Sequence, residues 1–344
     1  MSFAPLRTQR LVIRMPEAGD LDAIFERRSL PEVARYQDWE TPYQREWAVE
    51  SLRLGMLLDG PTNGKGLNLT VVLAERPQTI VGDVYVELRW EGRVGYVGFT
   101  LHPDYWGRGY ATEATEALIH YLFTDVGVSR IESSLHPDNV PSARVLEACG
   151  LVFEGLTTQS FWVGDECSDD MFYGMTRAGW EAWCARPRHR PDVVELAPIT
   201  PDNRGVVGRL TTHKSQERFV SPMAGSFRDA LFPDTVDGAP VVPWYRAITA
   251  DGEVVGFIMA AEMTTAHENP YLWRLLVDRM HQRRGIGAMA LELFEQRCRD
   301  QGATAIEVSW FPGPGSPEPM YLARGYQPSG KIEDGEVHAV KTLT

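Results

Sequence analysis

The chain has 344 residues, 43% hydrophobic and 24% charged, enough apolar material for a packed core in each of two ordinary domains. A net charge of −13 speaks against nucleic acid as a general partner, and no uninterrupted apolar run reaches the length of a membrane span. Cys149, Cys167, Cys184 and Cys298 form no C-x-x-C pair, so neither a zinc site nor a disulfide framework is indicated.

The N-terminal stretch lacks an apolar signal core, so a reducing cytoplasm is the expected compartment. Along the chain, a β-rich run with Ile80, Val81 and Gly82 follows a turn at Arg76 to Gln78. The next strand, Gly95 to Leu101, leads through a short basic turn, Trp106, Gly107, Arg108 and Gly109, into a helix. Ala114, Ala117, Leu118, Tyr121 and Leu122 form that helix's apolar face. A strand over Ile131 to Leu135 and a helix stopping at Gly150 complete the set. Trp180 to Ala185 close a helical stretch, and Arg186 to Pro191, a basic run bracketed by prolines, reads as a solvated linker. Domains are therefore expected at 1–186 and 187–344. The first holds 10 of the 13 excess negative charges, a solvated acidic surface.

The second half repeats the first. Val254, Val255 and Gly256 answer Ile80, Val81 and Gly82, and a strand over Tyr271 to Val277 precedes Gln282, Arg283, Arg284, Gly285, Ile286 and Gly287. The following helix buries Ala290, Leu293, Phe294 and Cys298. A strand over Ile306 to Trp310 and a helix stopping at Gly325 follow, at nearly constant offset. A basic Gly-x-Gly turn between strand and helix points backbone N–H groups outward at a positive helix end, which makes a phosphate cradle. Neither copy has the third glycine of a Rossmann site, and Gly64-Lys65-Gly66 lacks the spacing of a Walker A loop.

Together these residues resemble the GNAT superfamily of acetyl-CoA-dependent N-acetyltransferases, in tandem. The helix-opening pattern Gln/Arg-x-x-Gly-x-Gly/Ala is met strictly by Gln282 to Gly287. Trp106, Gly107, Arg108, Gly109, Tyr110 and Ala111 depart from it only at the first position. The first half is similar to the branch acting on ribosomal-protein N-termini, through Leu6 to Arg14, Tyr105 to Ala114, Asn139 and Ser142. The second half is similar to the diamine and polyamine branch, through Ile199 to Asn203, Gln216 to Val220, Tyr271 to Arg274 and Asp334 to Glu336. The resemblance implies an α+β fold of two mixed, twisted sheets flanked by helices, and acetyl transfer to a small-molecule primary amine.

It also implies roles. Acetyl-CoA would rest its phosphates on the two turns, with Arg283 or Arg284 adding charge-assisted contacts. Its pantetheine arm would pair with the strand edges Leu275, Leu276 and Val277, and Phe99 to Leu101. Near Leu276 a backbone N–H would polarise the thioester carbonyl. Tyr321, four residues before Gly325, would protonate the leaving sulfur. The first half has Leu146 in that slot and offers Ser142, either as that donor or as a helix N-cap, with Asn139 toward the arm. An alkylamine with pKa ~10.4 is neutral in about one molecule in a thousand near pH 7.4, so a base is called for. Glu262 and Glu336 are the candidates, either to attract the ammonium or to relay its proton. In the first half Tyr96 stands where related enzymes often have Glu. Trp273 is a candidate acceptor contact. An aminoglycoside or a protein N-terminus as acceptor, and one half as a non-catalytic acyl-CoA binding module, remain open alternatives.

Overall fold

The computed structural model describes residues 3–233, 235–236 and 238–343. They form two compact units, with the boundary between Cys184 and Ala185. In the first unit, β1 (Leu6–Arg7) and β2 (Leu11–Arg14) lead into α1 (Leu21–Ser29), α2 (Pro31–Ala34) and α3 (Arg45–Met56). Next come β3 (Gly66–Leu73), β4 (Arg76–Arg89), β5 (Val94–Leu101), α4 (Tyr110–Tyr121), β6 (Arg130–Leu135) and α5 (Val140–Ala148). The hairpin β7 (Val152–Val163) and β8 (Glu166–Thr176) follows, then α6 (Arg177–Ala185). The sheet order is β1-β2-β3-β4-β5-β6-β8-β7, and only β5 and β6 are parallel neighbours.

The second unit repeats this plan. It contains β9 (Val194–Ala197), α7 (Arg204–Val207), α8 (Met223–Leu231), a ribbon of β10 (Thr235–Val236) and β11 (Ala239–Pro240), β12 (Pro243–Ala250), β13 (Glu253–Ala261) and β14 (Tyr271–Val277). It continues with α9 (Ile286–Asp300), β15 (Ala305–Trp310), α10 (Glu318–Ala323), β16 (Gln327–Glu333) and β17 (Glu336–Thr342). Its order is β9-β12-β13-β14-β15-β17-β16, and here only β14 and β15 are parallel.

Period-two alternation decides which face each strand buries. In the first unit Leu67, Leu69, Val84, Val86 and Val97 pack on Ala114 and Leu118 of α4. In the second, Ile258, Ala260 and Leu272 meet Ala290, Leu291 and Phe294 of α9, while Phe257, Met259 and Leu276 point the other way, onto Val207 and Met223. Each Val, Leu, Ile, Met or Phe among them contributes about 1.5–3 kcal/mol by leaving water. On the far face of the first sheet, buried Asp83 of β4 is ion-paired with the equally buried Arg27 and Arg28 of α1. The Arg28 guanidinium also lies 5.0 Å above the Trp39 ring. This charge cluster fixes α1 to the sheet.

The basic segment before β9 is not a solvated tether. Pro191 is buried, the His189 carbonyl accepts from Arg284 Nε at 2.8 Å, and the backbone N–H groups of Asp192 and Val193 donate to Asp251.

The feature that positions the site is the incomplete parallel pair. β5 and β6 are joined from Val94 to Tyr96 and then part, leaving Val97 to Leu101 open on that edge. β14 and β15 are joined only at Tyr271 and Leu272, leaving Trp273 to Val277 open. On the opposite edge each strand is pressed against a glycine. A side chain at Gly82 would strike the Thr100 carbonyl, and one at Gly256 the Leu276 carbonyl. The second splay carries an addition. Met259 pairs with Arg274 and Ala260 with Leu272, so Trp273 is the extra residue of a β-bulge that the first unit lacks.

Candidate active site

Each open strand runs into the same turn. After Leu101, a 3-10 turn over Pro103–Tyr105 reaches Trp106, and Gly107 and Gly109 take left-handed φ of 70° and 77° before α4 begins. After Val277, a 3-10 turn over Arg279–His281 reaches Gln282, and Arg283 and Gly285 take φ of 64° and 80° before α9 begins. The turns therefore share one backbone, with N–H groups converging at a helix start. The first motif position has a legible job. Gln282 Nε2 donates to the Val277 carbonyl at 3.1 Å, and Trp106 Nε1 donates to the Leu101 carbonyl at 2.8 Å. An indole N–H thus replaces an amide in tying the turn to the end of its strand.

Each turn has its own brace. Arg10 donates to the Arg108 carbonyl at 2.9 Å, pairs with Glu113 at 2.6 Å, and lies 4.6 Å over the Tyr110 ring. In the second unit Gln282 Nε2 also donates to Gln216 Oε1 at 2.8 Å. Beside it, desolvation lowers the pKa of the half-buried imidazole of His213 to about 4, with Arg279, Arg186 and Arg283 adding to the effect.

At the apex of each splay stands a tyrosine bonded to a serine. Tyr271 of β14 is hydrogen-bonded to Ser309 of β15, which donates to Glu336 of β17. Tyr96 lies 3.1 Å from Ser134, whose hydroxyl is close enough to the Asp170 carboxylate to favour its charged form. Burial raises the pKa of both tyrosines, and the same cause raises Asp170. Tyr321 of α10 is 5% exposed, and its ring stacks on Trp310 at 5.5 Å and 21°. Desolvation first, and Tyr271 second, push its pKa far above the ordinary phenol value. The hydroxyl therefore stays protonated at neutral pH.

A family model for an acetyltransferase (GNAT) domain matches residues 10–152, and one for the acetyltransferase (GNAT) family matches residues 210–312. The chain belongs to the GNAT acetyltransferases. It is 30% identical over 151 residues to the uncharacterized N-acetyltransferase p20 of Bacillus licheniformis, covering 44% of this chain and 84% of that protein. It is 22% identical over 161 residues to the spermidine N(1)-acetyltransferase of Vibrio cholerae, covering 46% and 89% respectively. A solved GNAT-family acetyltransferase from Bacillus anthracis is 26% identical, with a TM-score of 0.45 over 50% of this chain and 98% of that one.

This GNAT protein is therefore an acetyl-CoA-dependent N-acetyltransferase built from two GNAT units. The turns fit the cofactor's phosphates: no protein atom lies within 4 Å of where a Cβ at Gly107 or Gly285 would sit, and Gly287 has only ordinary contacts. The strand edges at Phe99 and Leu101, and at Leu275, Leu276 and Val277, face the two openings. The two arginines of the second turn separate. Arg283 is exposed, but Arg284 is 5% exposed and turned inward onto His189 and onto His281 Nδ1 at 2.9 Å. The Arg284 side chain is thus taken up within the protein.

Other candidates are redistributed. Glu262 does not join the site: its carboxylate is paired with Arg297 of α9 at 2.6 Å, which commits it to an ion pair. Asn139 is the N-cap of α5, its side chain accepting from the Ser142 N–H at 3.3 Å, so Ser142 is not the cap. Leu146 is buried in the tyrosine slot. Pro314 lies in a loop tied down by Arg218, which donates to its carbonyl at 2.7 Å. Glu336 does reach the apex, through Ser309. Sequence reasoning missed Ser134, Ser309 and Asp170. The signal was present, because Tyr96 and Tyr271, and Ser134 and Ser309, are identical pairs at the repeat's own offset.

Proposed function

We propose that the second unit acetylates a primary amine of a small cationic acceptor of the polyamine kind, with Tyr321 as the proton donor to the thiolate. The observation that carries this reading is the apex. There the Tyr271 hydroxyl lies in the field of Glu336 and Glu307, with Arg274 opposing, which suits an ammonium group, and Tyr321 lies beside it. Over about half of the chain, similarity to a spermidine N(1)-acetyltransferase supports the same acceptor class without assigning it to one unit. Tyr321 supplies the thiolate's proton, the exposed Arg283 and the backbone from Arg283 to Gly287 hold the phosphates, and Trp273 on its bulge borders the acceptor side. When bound, acetyl-CoA supplies the activated acyl group.

The first unit binds acetyl-CoA on Trp106 to Ala111. Its Ser142 hydroxyl, free of hydrogen bonds within the described residues, stands in for the missing tyrosine. A purely binding role for this unit is the second reading, and buried Leu146 is what favours it.

Thiol release from acetyl-CoA, measured with spermidine, an aminoglycoside and a serine-initiated peptide, tests the assignment. Spermidine turnover should fall about 10²-fold in Tyr321→Phe. Turnover of the other acceptors with silence from spermidine would remove the polyamine preference. Tyr321→Phe at full rate, with Ser142→Ala inactive, would exchange the roles of the two units.

A further inference from the structure

The second unit carries a file of hydroxyls that ends on a carboxylate, and the first unit sets the same kinds of group in the same order. Ser309 has one proton, and it is donated to Glu336. Its oxygen must then accept from Tyr271, whose single proton is used in that bond. The Tyr271 oxygen is left with lone pairs and nothing to donate. It can receive only a donor, and an ammonium group is one. The first unit matches it in register. Ser134 and Ser309 stand opposite Phe172 and His338, and Asp170 and Glu336 each precede that partner by two residues. Tyr96 is the last paired residue before its strand opens, and Tyr271 the last but one.

The placement also suits the chemistry. A ligand with its phosphates on the turn and its arm along the open edge, from Val277 back to Leu272, travels ~17 Å at about 3.3 Å per residue. Its reactive end then arrives beside Tyr271. We infer that Tyr271, Ser309 and Glu336, and likewise Tyr96, Ser134 and Asp170, are proton relays that deprotonate the incoming amine. The tyrosine is the catalytic base in contact with the nitrogen, and the serine and carboxylate are positioning residues behind it. The inference rests on the amine-acceptor reading above.

The step balances. The Tyr271 oxygen takes a proton from R–NH3+ as its own proton passes to Ser309 and the serine proton to Glu336, which returns it to solvent. The freed nitrogen lone pair forms the C–N bond to the thioester carbon, the C–S bond breaks, and sulfur receives the Tyr321 proton. The second proton lost by nitrogen replaces the one given by Tyr321. The charged or titratable groups facing Tyr271 are Glu336, Glu307, Arg274, Tyr321 and the His338 ring at 6.4 Å. Those around Tyr96 are Arg89, stacked 4.0 Å over its ring, with Tyr85, Glu87, Glu132 and Asp170.

The test uses the full chain, acetyl-CoA and spermidine, with hydroxylamine as an acceptor already neutral at neutral pH. Tyr271→Phe and Ser309→Ala should each lower kcat/KM for spermidine about 10²-fold at pH 7.5. The deficit should shrink as pH rises, and hydroxylamine should react at a near-normal rate. Ser309→Thr, which keeps the hydroxyl, should restore activity. In Tyr96→Phe/Tyr271→Phe the acidic limb of the spermidine profile should become a simple rise toward the amine's own pKa. A double variant whose profile runs parallel to wild type, with hydroxylamine slowed equally, overturns the relay alone. Wild-type silence with every amine overturns the amine-acceptor reading and the relay with it.

Discussion

Arg283 holds a φ of 64° where its counterpart in the first unit is Gly107. A side chain in the left-handed region costs about 1–2 kcal/mol, and here the residue is also the exposed cation of the turn. Stability and binding should therefore move in opposite directions. Arg283→Gly is expected to raise the melting temperature and to weaken acetyl-CoA binding, read by thermal shift and calorimetry on the same protein. Gly285→Ala should do harm on both counts, because φ of 80° penalises the new Cβ and the Cβ enters space left for a ligand. Glu262 shows how residue type alone misleads. A carboxylate after an inner strand has a catalyst's profile until Arg297 is seen to hold it.

Among elements, the turn that opens α9 depends on its neighbours. Gln216 bonds both the His213 N–H and Gln282, so the short 3-10 turn at Lys214–Gln216 props the cradle. His213 has a folded pKa of about 4 against an ordinary 6.5. Above pH 6.5 the imidazole is neutral in folded and unfolded chains and contributes no pH dependence. Between 6.5 and 4 the unfolded chain binds the extra proton, so stability falls as pH falls, by up to about 1.4 kcal/mol per pH unit. His213→Gln should flatten that part of a stability–pH curve measured by denaturant unfolding. In the first unit, Asp83 holds two buried guanidiniums of α1. Asp83→Ala leaves both without a counter-ion and should cost about 3–5 kcal/mol in chemical denaturation.

At the scale of the whole molecule, two cradles imply two cofactor sites. Titration with acetyl-CoA should approach two molecules bound per chain, and Gly109→Ala or Gly285→Ala should each remove one. A stoichiometry of one would assign binding to a single unit. The tandem plan could be read from residues alone because glycines at turns and helix stops are forced by geometry. Gly109 and Gly285, and Gly150 and Gly325, all have positive φ. The hydroxyl files could not be read one residue at a time, because a serine or tyrosine in a strand has no local signature of its partner. Pairing across β6 and β8, or β15 and β17, is a long-range fact. Composition likewise hid the fate of the basic run 186–191. Charge and proline suggest exposure, whereas Pro191 and the His189 carbonyl are taken into the second unit. An excised C-terminal half beginning at Val194 would leave behind an acceptor for Arg284 inside its own phosphate loop. Dissection of the two units should therefore cut upstream of Arg186.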